Sequence, residues 1–128
     1  MPNQAAQSTK YIQDIIKASS KIQPVEQRIS ELIAKNDIVV FSKSYCPSCK
    51  RAKSILDSHN LAYTVKELDL DPEDTPMQEW QDSLQRMTGQ RTVPNVFILG
   101  EHQGGSDDVA RLHREGKLDR LVNTNNYN

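Results

Sequence analysis

Two cysteines, three positions apart, are the residues of this chain whose type and spacing best suit chemistry. Cys46 and Cys49 follow an apolar run at residues 38–41, which predicts a strand, and the segment from Pro47 predicts a helix. Cys46 would then lie at the amino end of that helix, where unpaired N–H groups and the helix dipole favour an anion. This position favours a thiolate, because a thiol there ionises below its ordinary pKa of about 8.5.

Three cations close to the pair would stabilise the same thiolate. Lys43 precedes the cysteines, and Lys50 and Arg51 follow them directly. Cys49 is one helical turn beyond Cys46, close enough for a disulfide but further from the helix end. We therefore expect Cys46 to be the more ionised of the two sulfurs.

A structural disulfide and half of a zinc site are the alternative interpretations of such a pair. His59 follows Cys49 too closely for a usual zinc finger, and His102 and His113 lie far downstream. A disulfide that closes so short a loop removes little chain entropy and stabilises weakly. The redox-active interpretation is therefore favoured, no metal is expected, and the three histidines are expected to lie on the surface.

Length and charge indicate one domain without a strong electrostatic field. The chain has 128 residues, with 16 basic and 17 acidic side chains and a net charge of −1. This balance gives no reason to expect nucleic acid or an anionic membrane as a partner. No apolar stretch has the length of a membrane span, and the amino-terminal residues lack the apolar core of a secretory signal. A cytoplasmic monomer is expected. The alternative is a protein of the secretory pathway or of an organelle whose amino-terminal targeting signal has been removed.

The chain divides into three parts. Residues 1–23 form an extension that begins polar and disordered and continues as a short amphipathic helix, which either packs weakly on the domain or serves as a partner-binding or membrane-proximal stem. The apolar positions of this helix are Tyr11, Ile12, Ile15 and Ile16. Residues 24–122 form the domain, and residues 123–128 form a polar tail.

Periodicity within the domain predicts helices that cover both faces of a four-stranded mixed sheet, an α/β architecture. The predicted elements are a helix opened by Pro24, strand 38–42, helix 47–59, strand 62–68, a helix that ends at Gly89, strand 96–99, a short strand that ends near Gln103, helix 106–114 and a last helical turn at 117–122. Trp80 and Met87 are expected to be buried. Residues 100–101 are expected to form a hairpin turn, and Ser106 to be an N-cap.

Three stretches of the chain, in this order, resemble the signatures of dithiol glutaredoxins. They are residues 41–49 with Cys-Pro-Ser-Cys, residues 88–98 with Thr-Val-Pro, and residues 104–108 with Gly-Gly-Ser-Asp-Asp. The resemblance runs from about Pro24 to Val122. It implies a thioredoxin fold and a glutathione-dependent thiol–disulfide oxidoreductase.

The resemblance also implies a mechanism. Cys46 would attack a mixed disulfide of glutathione and take the glutathionyl group, which a second glutathione then removes; alternatively, Cys49 closes a disulfide with Cys46 that glutathione later reopens. Glutathione is thus implied as co-substrate, and glutathionylated proteins and small disulfides as partners. Some relatives bridge a [2Fe–2S] cluster with glutathione, mostly where Pro47 is replaced, so a cluster carrier or redox sensor is the alternative function.

By similarity, one group of residues would hold the glycyl end of glutathione. Lys43 would stabilise the Cys46 thiolate and, with Gln81 and Arg91, meet the glycyl carboxylate. Tyr45 would pack beside the sulfur.

A second group would hold the rest of glutathione. The main chain of Val93 would pair with the cysteinyl unit like an added strand, and Pro94 would be a cis proline that faces the sulfur. Ser106, Asp107 and Asp108 open a helix whose N–H groups would bind the γ-glutamyl carboxylate, while an aspartate pairs with its ammonium group.

One position departs from the commonest sequence of the family, which has tyrosine where this chain has Ser48. The missing ring removes apolar contact from the groove and leaves Cys49 more open, so substrate affinity should change while activity remains. The residues implied to bind glutathione are Lys43, Tyr45, Ser48, Gln81, Arg91, Thr92, Val93, Pro94, Ser106, Asp107 and Asp108.

Overall fold

The computed structural model describes residues 24–123, so the amphipathic helix expected in the extension lies outside the described residues. The elements are α1 (Val25–Lys35), β1 (Ile38–Ser42), α2 (Pro47–Ser58), β2 (Thr64–Glu67), α3 (Met77–Thr88), β3 (Asn95–Ile98), β4 (Glu101–Gly104), α4 (Ser106–Arg114) and α5 (Leu118–Asn123). This confirms the predicted order of helices and strands. Within residues 24–123, no helix is both long enough and apolar enough to cross a membrane.

The four strands form one mixed sheet in the order β2-β1-β3-β4. β1 is parallel to β2 and antiparallel to β3, and β3 and β4 form an antiparallel hairpin. All five residues of β1 are buried, which explains why this strand is an unbroken apolar run and not an alternating pattern. The central strand therefore leads directly from the core to the cysteines that follow it.

The core consists of two apolar clusters, one on each face of the sheet, because successive strand residues point to opposite faces. The first cluster contains Ile29, Val39, Phe41, Leu68, Trp80, Leu84 and Phe97. The second contains Ile38, Val40, Leu56, Val96, Ile98, Val109 and Leu118. Consequently α1 and α3 pack on one face, and α2, α4 and α5 on the other.

The predicted burial of Met87 is wrong, because this side chain is exposed. The buried stripe of α3 consists of Trp80, Ser83 and Leu84 and stops before the last turn of the helix. Met87 instead lines an open depression together with Ile33. Helical spacing alone could not show that, among the elements of residues 24–123, none covers this last turn.

The predicted hairpin turn is displaced by one residue. Leu99 and Gly100 occupy the turn with φ of 50° and 82°, so β3 ends at Ile98 and β4 begins at Glu101. Leu99 is an unusual residue for positive φ, but it packs against the second apolar cluster, and its N–H donates to the Asp37 carbonyl at 2.6 Å. Packing therefore overrides the local turn preference.

Two smaller expectations also need correction. β2 is shorter than predicted, because it pairs with β1 over Thr64–Glu67 only. His59 is half-buried: its Nδ1 lies 2.8 Å from Asp119 and its Nε2 lies 2.8 Å from Nδ1 of His113. His102 and His113 are exposed, as predicted.

Candidate active site

The cysteine pair lies where β1 ends and α2 begins. Cys46 is the N-cap of α2, with extended backbone angles of φ −114° and ψ 109°, and Pro47 is the first helical residue. Proline suits this position because its fixed φ matches the helix and its missing N–H would have no helical partner. Cys46 therefore lies at a helix amino terminus, as the sequence predicts.

The loop before the pair is fixed by Ser44. Its N–H donates to Asp69 Oδ1 at 2.9 Å, and its hydroxyl donates to Oδ2 of the same carboxylate. These hydrogen bonds, from the side chain first and then from the backbone, lower the pKa of Asp69. An ionised Asp69 thus holds in place the turn that leads into Cys46.

The two sulfurs are joined in a disulfide, with their Cα atoms 5.2 Å apart, and they differ in environment. Cys49 is fully buried, whereas Cys46 is partly exposed. The expectation that Ser48 leaves Cys49 more open to solvent is therefore wrong. The Cys49 N–H donates to Cys46 Sγ at 3.2 Å. In the reduced protein the same N–H is placed to stabilise a negative sulfur, so the geometry favours Cys46 as the attacking thiolate.

A loop on the other side of Cys46 contains the cis peptide bond between Val93 and Pro94, as predicted for Pro94. The Val93 carbonyl oxygen lies 3.9 Å from Cys46 Sγ. Gln90 Nε2 fixes this loop by donating to the carbonyls of Thr92 at 3.0 Å and Pro94 at 2.9 Å. The Val93 N–H has no hydrogen-bond partner among residues 24–123 and is available to a ligand.

The amino end of α4 closes the site, with a different cap from the one predicted. Gly105 is the N-cap, and Ser106 is the first helical residue. The Gly105 N–H donates to Asp108 Oδ2 at 2.8 Å, which is the hydrogen bond that the third helical residue makes back to the N-cap in a capping box. A side chain at Gly104, which has φ of 114°, would collide with this same carboxylate.

These three segments enclose a groove of about 340 Å³. Its lining residues are Ser48, Arg51, Gln90, Thr92, Val93, Pro94, Gly105, Ser106, Asp107 and Asp108. The groove lies between the start of α2, the cis-proline loop and the start of α4. Val93, one of these lining residues, has its carbonyl oxygen 3.9 Å from the Cys46 sulfur, so the sulfur lies next to the groove.

Comparison with known proteins identifies the family. The glutaredoxin family model matches residues 38–103, more than half of the chain. The chain belongs to the glutaredoxin family. A glutaredoxin of Ricinus communis is 46% identical over 95 residues, which cover 74% of this chain and 90% of that protein. Glutaredoxin-C2 of Arabidopsis thaliana is 44% identical over 96 residues, covering 75% of this chain and 84% of that one.

Solved structures agree with this assignment. The crystal structure of a buckwheat glutaredoxin–glutathione complex superposes with a TM-score of 0.75 at 40% identity, and covers 82% of this chain and 93% of that one. The thioredoxin fold expected from the resemblance is therefore confirmed. With the Cys46–Cys49 disulfide, this glutaredoxin has the dithiol site of a thiol–disulfide oxidoreductase.

The structure brings together only part of the residue set predicted for this glutaredoxin. The predicted residues that line the groove are Ser48, Thr92, Val93, Pro94, Ser106, Asp107 and Asp108. Lys43, Tyr45, Gln81 and Arg91 do not line it. Lys43 Nζ lies 6.0 Å from the ring centre of the exposed Tyr45, in the loop before Cys46. Gln81 is half-buried on α3, and Arg91 pairs with Asp82 on that helix.

Three groove residues of this glutaredoxin were not predicted as site residues. The sequence predicts Arg51 only as one of the cations close to the cysteines. In the structure its side chain contacts Ser106 and Asp107 across the groove. Gln90 and Gly105 lie within the quoted signatures without an assigned role. The spacing of Ser48 and Arg51, three residues apart on α2, was the signal that both share one helix face.

Proposed function

We propose that this glutaredoxin reduces mixed disulfides between glutathione and proteins or small thiols through a Cys46 thiolate. The observation that carries the proposal is the asymmetry of the two sulfurs. Cys46 is partly exposed beside the groove and accepts the Cys49 N–H at the helix end, whereas the Cys49 sulfur is fully buried. An exposed, stabilised thiolate is suited to attack, and a buried neighbouring thiol is suited to resolve the product.

In the first step the Cys46 thiolate attacks the glutathione sulfur of the mixed disulfide. The sulfur–sulfur bond breaks, its electron pair leaves with the partner thiolate, and a new disulfide joins Cys46 to glutathione. In the second step another glutathione thiolate attacks the sulfur of the bound glutathionyl group. Oxidised glutathione departs, and Cys46 returns to the thiolate, which is a good leaving group because the helix end and the Cys49 N–H stabilise its charge.

Protein disulfides follow a route that uses both cysteines. Cys46 first forms a mixed disulfide with one protein sulfur, and the thiolate of Cys49 then attacks the sulfur of Cys46. The second protein thiol is released, and the product is the Cys46–Cys49 bond that this structure contains. Two glutathione molecules restore the dithiol and leave as oxidised glutathione, so electrons balance over the cycle.

We assign the groove to glutathione, the ligand of the buckwheat glutaredoxin complex. The Val93 N–H and carbonyl group lie beside Cys46 and are suited to pair with the cysteinyl unit as an added strand. The amino end of α4, with Asp107 and Asp108, is suited to the γ-glutamyl carboxylate and ammonium group. The glycyl carboxylate would extend towards Lys43.

Two cysteine variants test this proposal. A glutathionylated peptide is mixed with glutathione as the only reductant, and release of the free peptide is followed. Cys49→Ser should retain turnover, because the route through glutathione needs one cysteine, whereas Cys46→Ser should abolish it. Equal loss in both variants would contradict the one-cysteine route, and turnover by Cys46→Ser would contradict the assignment of the nucleophile.

A further inference from the structure

Arg51 reaches from α2 across the groove to the amino end of α4. Its Nη1 donates to Asp107 Oδ1 at 2.8 Å and to Ser106 Oγ at 3.3 Å. Ser48 lies one helical turn earlier on the same face and also lines the groove. Ser48 has a short side chain. Of the two α2 residues that line the groove, Arg51 is therefore the one whose side chain extends across it.

The contact between Arg51 and Asp107 is poorly suited to a structural role. The Arg51 side chain is 50% exposed, and that of Asp107 is 96% exposed. Exposed ion pairs of this kind contribute little to folding stability, since water screens the charges and ordering two long side chains costs entropy. The position of Arg51 therefore matters for what the groove binds and not for the stability of the fold.

The guanidinium of Arg51 also has unused donors. Both of its contacts involve Nη1, and its Nε and Nη2 groups have no hydrogen-bond partner within residues 24–123. These two nitrogens form the fork that matches the two oxygens of a carboxylate. Among the described residues that line the groove, Arg51 carries the only positive charge, opposite the carboxylates of Asp107 and Asp108.

We propose that Arg51 binds the α-carboxylate of the γ-glutamyl unit and thereby selects glutathione over thiols that lack this unit; the inference rests on the proposed function. The γ-glutamyl end carries one carboxylate and one ammonium group. Arg51 supplies the cation for the first, and the aspartates at the start of α4 supply the anion for the second. This makes Arg51 a specificity-determining residue at the far end of the groove from the substrate's glycyl carboxylate.

The test compares two substrates in the Cys49→Ser background, where only the first chemical step is followed. One is a peptide in mixed disulfide with glutathione, and the other is the same peptide in mixed disulfide with cysteinylglycine, which lacks the γ-glutamyl unit. Arg51→Gln should lower the second-order rate constant for the glutathionyl peptide about tenfold, the loss expected for one charge-assisted contact. The rate constant for the cysteinylglycyl peptide should not change. Arg51→Lys should recover part of the preference, because it restores charge without the fork.

Arg114→Gln is the matched control, since it removes one exposed positive charge from the opposite end of α4. Its rate constants for both peptides should equal those of the parent. An equal loss for both peptides in Arg51→Gln, or no loss for either, would overturn the proposal. If the effect of Arg51→Gln disappeared in an Asp107→Asn background, Arg51 would act only through Asp107, and direct binding would be excluded.

Failure of the proposed function gives a different result. If the parent protein with Cys46 intact does not react with the glutathionyl peptide at all, the proposed function fails and this inference fails with it. If the parent reacts but prefers neither peptide, the oxidoreductase chemistry stands and the γ-glutamyl assignment alone is rejected. Urea unfolding midpoints close to the parent value in both arginine variants would show that neither change acts through folding.

Discussion

Replacing Asp71 by asparagine should destabilise the fold at a point remote from the cysteines. The Asp71 side chain is 1% exposed and accepts hydrogen bonds from Arg28 Nη2 and Lys66 Nζ, both at 2.7 Å. It also accepts the Thr75 N–H at 3.0 Å. The two cations lie over the ring of Trp80, at 4.5 Å and 4.9 Å from its centre. One carboxylate therefore joins α1, β2 and the loop that leads into α3.

The magnitude follows from what the substitution leaves behind. Asp71→Asn keeps the shape of the side chain but removes the nearest negative charge to Arg28 and Lys66, and leaves Arg28 only the weaker pair with Glu73 at 3.8 Å. Breaking a buried ion pair from one side costs about 3–5 kcal/mol, because the remaining charge is buried without a partner. Arg28 and Lys66 are 14% and 16% exposed, so water can reach them in part. We therefore expect a loss of about 2–3 kcal/mol at pH 7, a large share of a typical total of about 5–15 kcal/mol.

The pH dependence of this difference has a definite sign. Burial raises the pKa of Asp71, but hydrogen bonds from Lys66, Arg28 and Thr75 together outweigh it and lower the pKa well below its usual range. A depressed native pKa contributes stability above the unfolded value of about 3.9, and this stability is lost as the pH falls towards the native value. At pH 3 the unfolded chain has taken up the proton and the native protein has not. The difference between the wild type and Asp71→Asn should then be smaller by about 1 kcal/mol than at pH 7.

Urea unfolding at pH 7 and pH 3 measures both quantities. Trp80 is the only tryptophan, and its ring lies against Arg28 and Lys66, so its fluorescence reports the unfolding transition. Far-ultraviolet circular dichroism is an independent probe. Asp74→Asn is the matched control, because it makes the same chemical change at an exposed position of the same turn and should stay within about 0.5 kcal/mol of wild type. Equal stability of Asp71→Asn and wild type at pH 7, or a difference that grows towards pH 3, would refute the reasoning.

Three further predictions concern the active site directly. The alkylation rate of Cys46 in the reduced protein should rise with pH, and the midpoint of this rise should lie well below pH 7. A midpoint at about pH 8.5 would contradict the thiolate mechanism. Lys43→Gln should move that midpoint upwards in the same assay, because it removes a positive charge three residues before Cys46. Gly104→Ala should raise the KM for glutathione several-fold, because its Cβ would displace the Asp108 carboxylate. Gly116→Ala, also at positive φ but facing open space, should lower stability and leave that KM unchanged.

The sequence predicts the cysteine end of the site well because its signals are local. An unbroken apolar run gives β1, Pro47 marks the first turn of α2, and Cys46 must then be at the helix end. No distant residue is needed for this placement. The same holds for the Gly89 that ends α3, where a left-handed residue with φ of 81° follows the helix.

Predictions failed where a distant contact decides the local structure. Leu99 occupies a turn position at positive φ because it packs into the core, although Gly100 with Glu101 was the better turn by composition. Ser106 is a strong N-cap residue, yet Gly105 is the N-cap, and Ser106 is buried at the first helical position, where its hydroxyl accepts a hydrogen bond from the distant Arg51. In each case a contact that periodicity does not encode was stronger than the local preference.

In the groove, too, one property depends on local sequence and the other on residues that are distant in the chain. The first property is the reactivity of the sulfur, and the second is the selectivity for the substrate. Sulfur reactivity depends on the helix start, where the Cys49 N–H donates to Cys46 from three residues away. The proposed selectivity depends on Arg51, which reaches from α2 to the start of α4, more than fifty residues further along the chain, a placement that only the folded chain creates. Ser48 lines the groove, but within residues 24–123 its hydroxyl makes no hydrogen bond with the Cys46 sulfur. A substitution of Ser48 should therefore change the affinity for the substrate without changing the pH midpoint of Cys46 alkylation. Substrate affinity and sulfur reactivity would then be separable within one turn of α2.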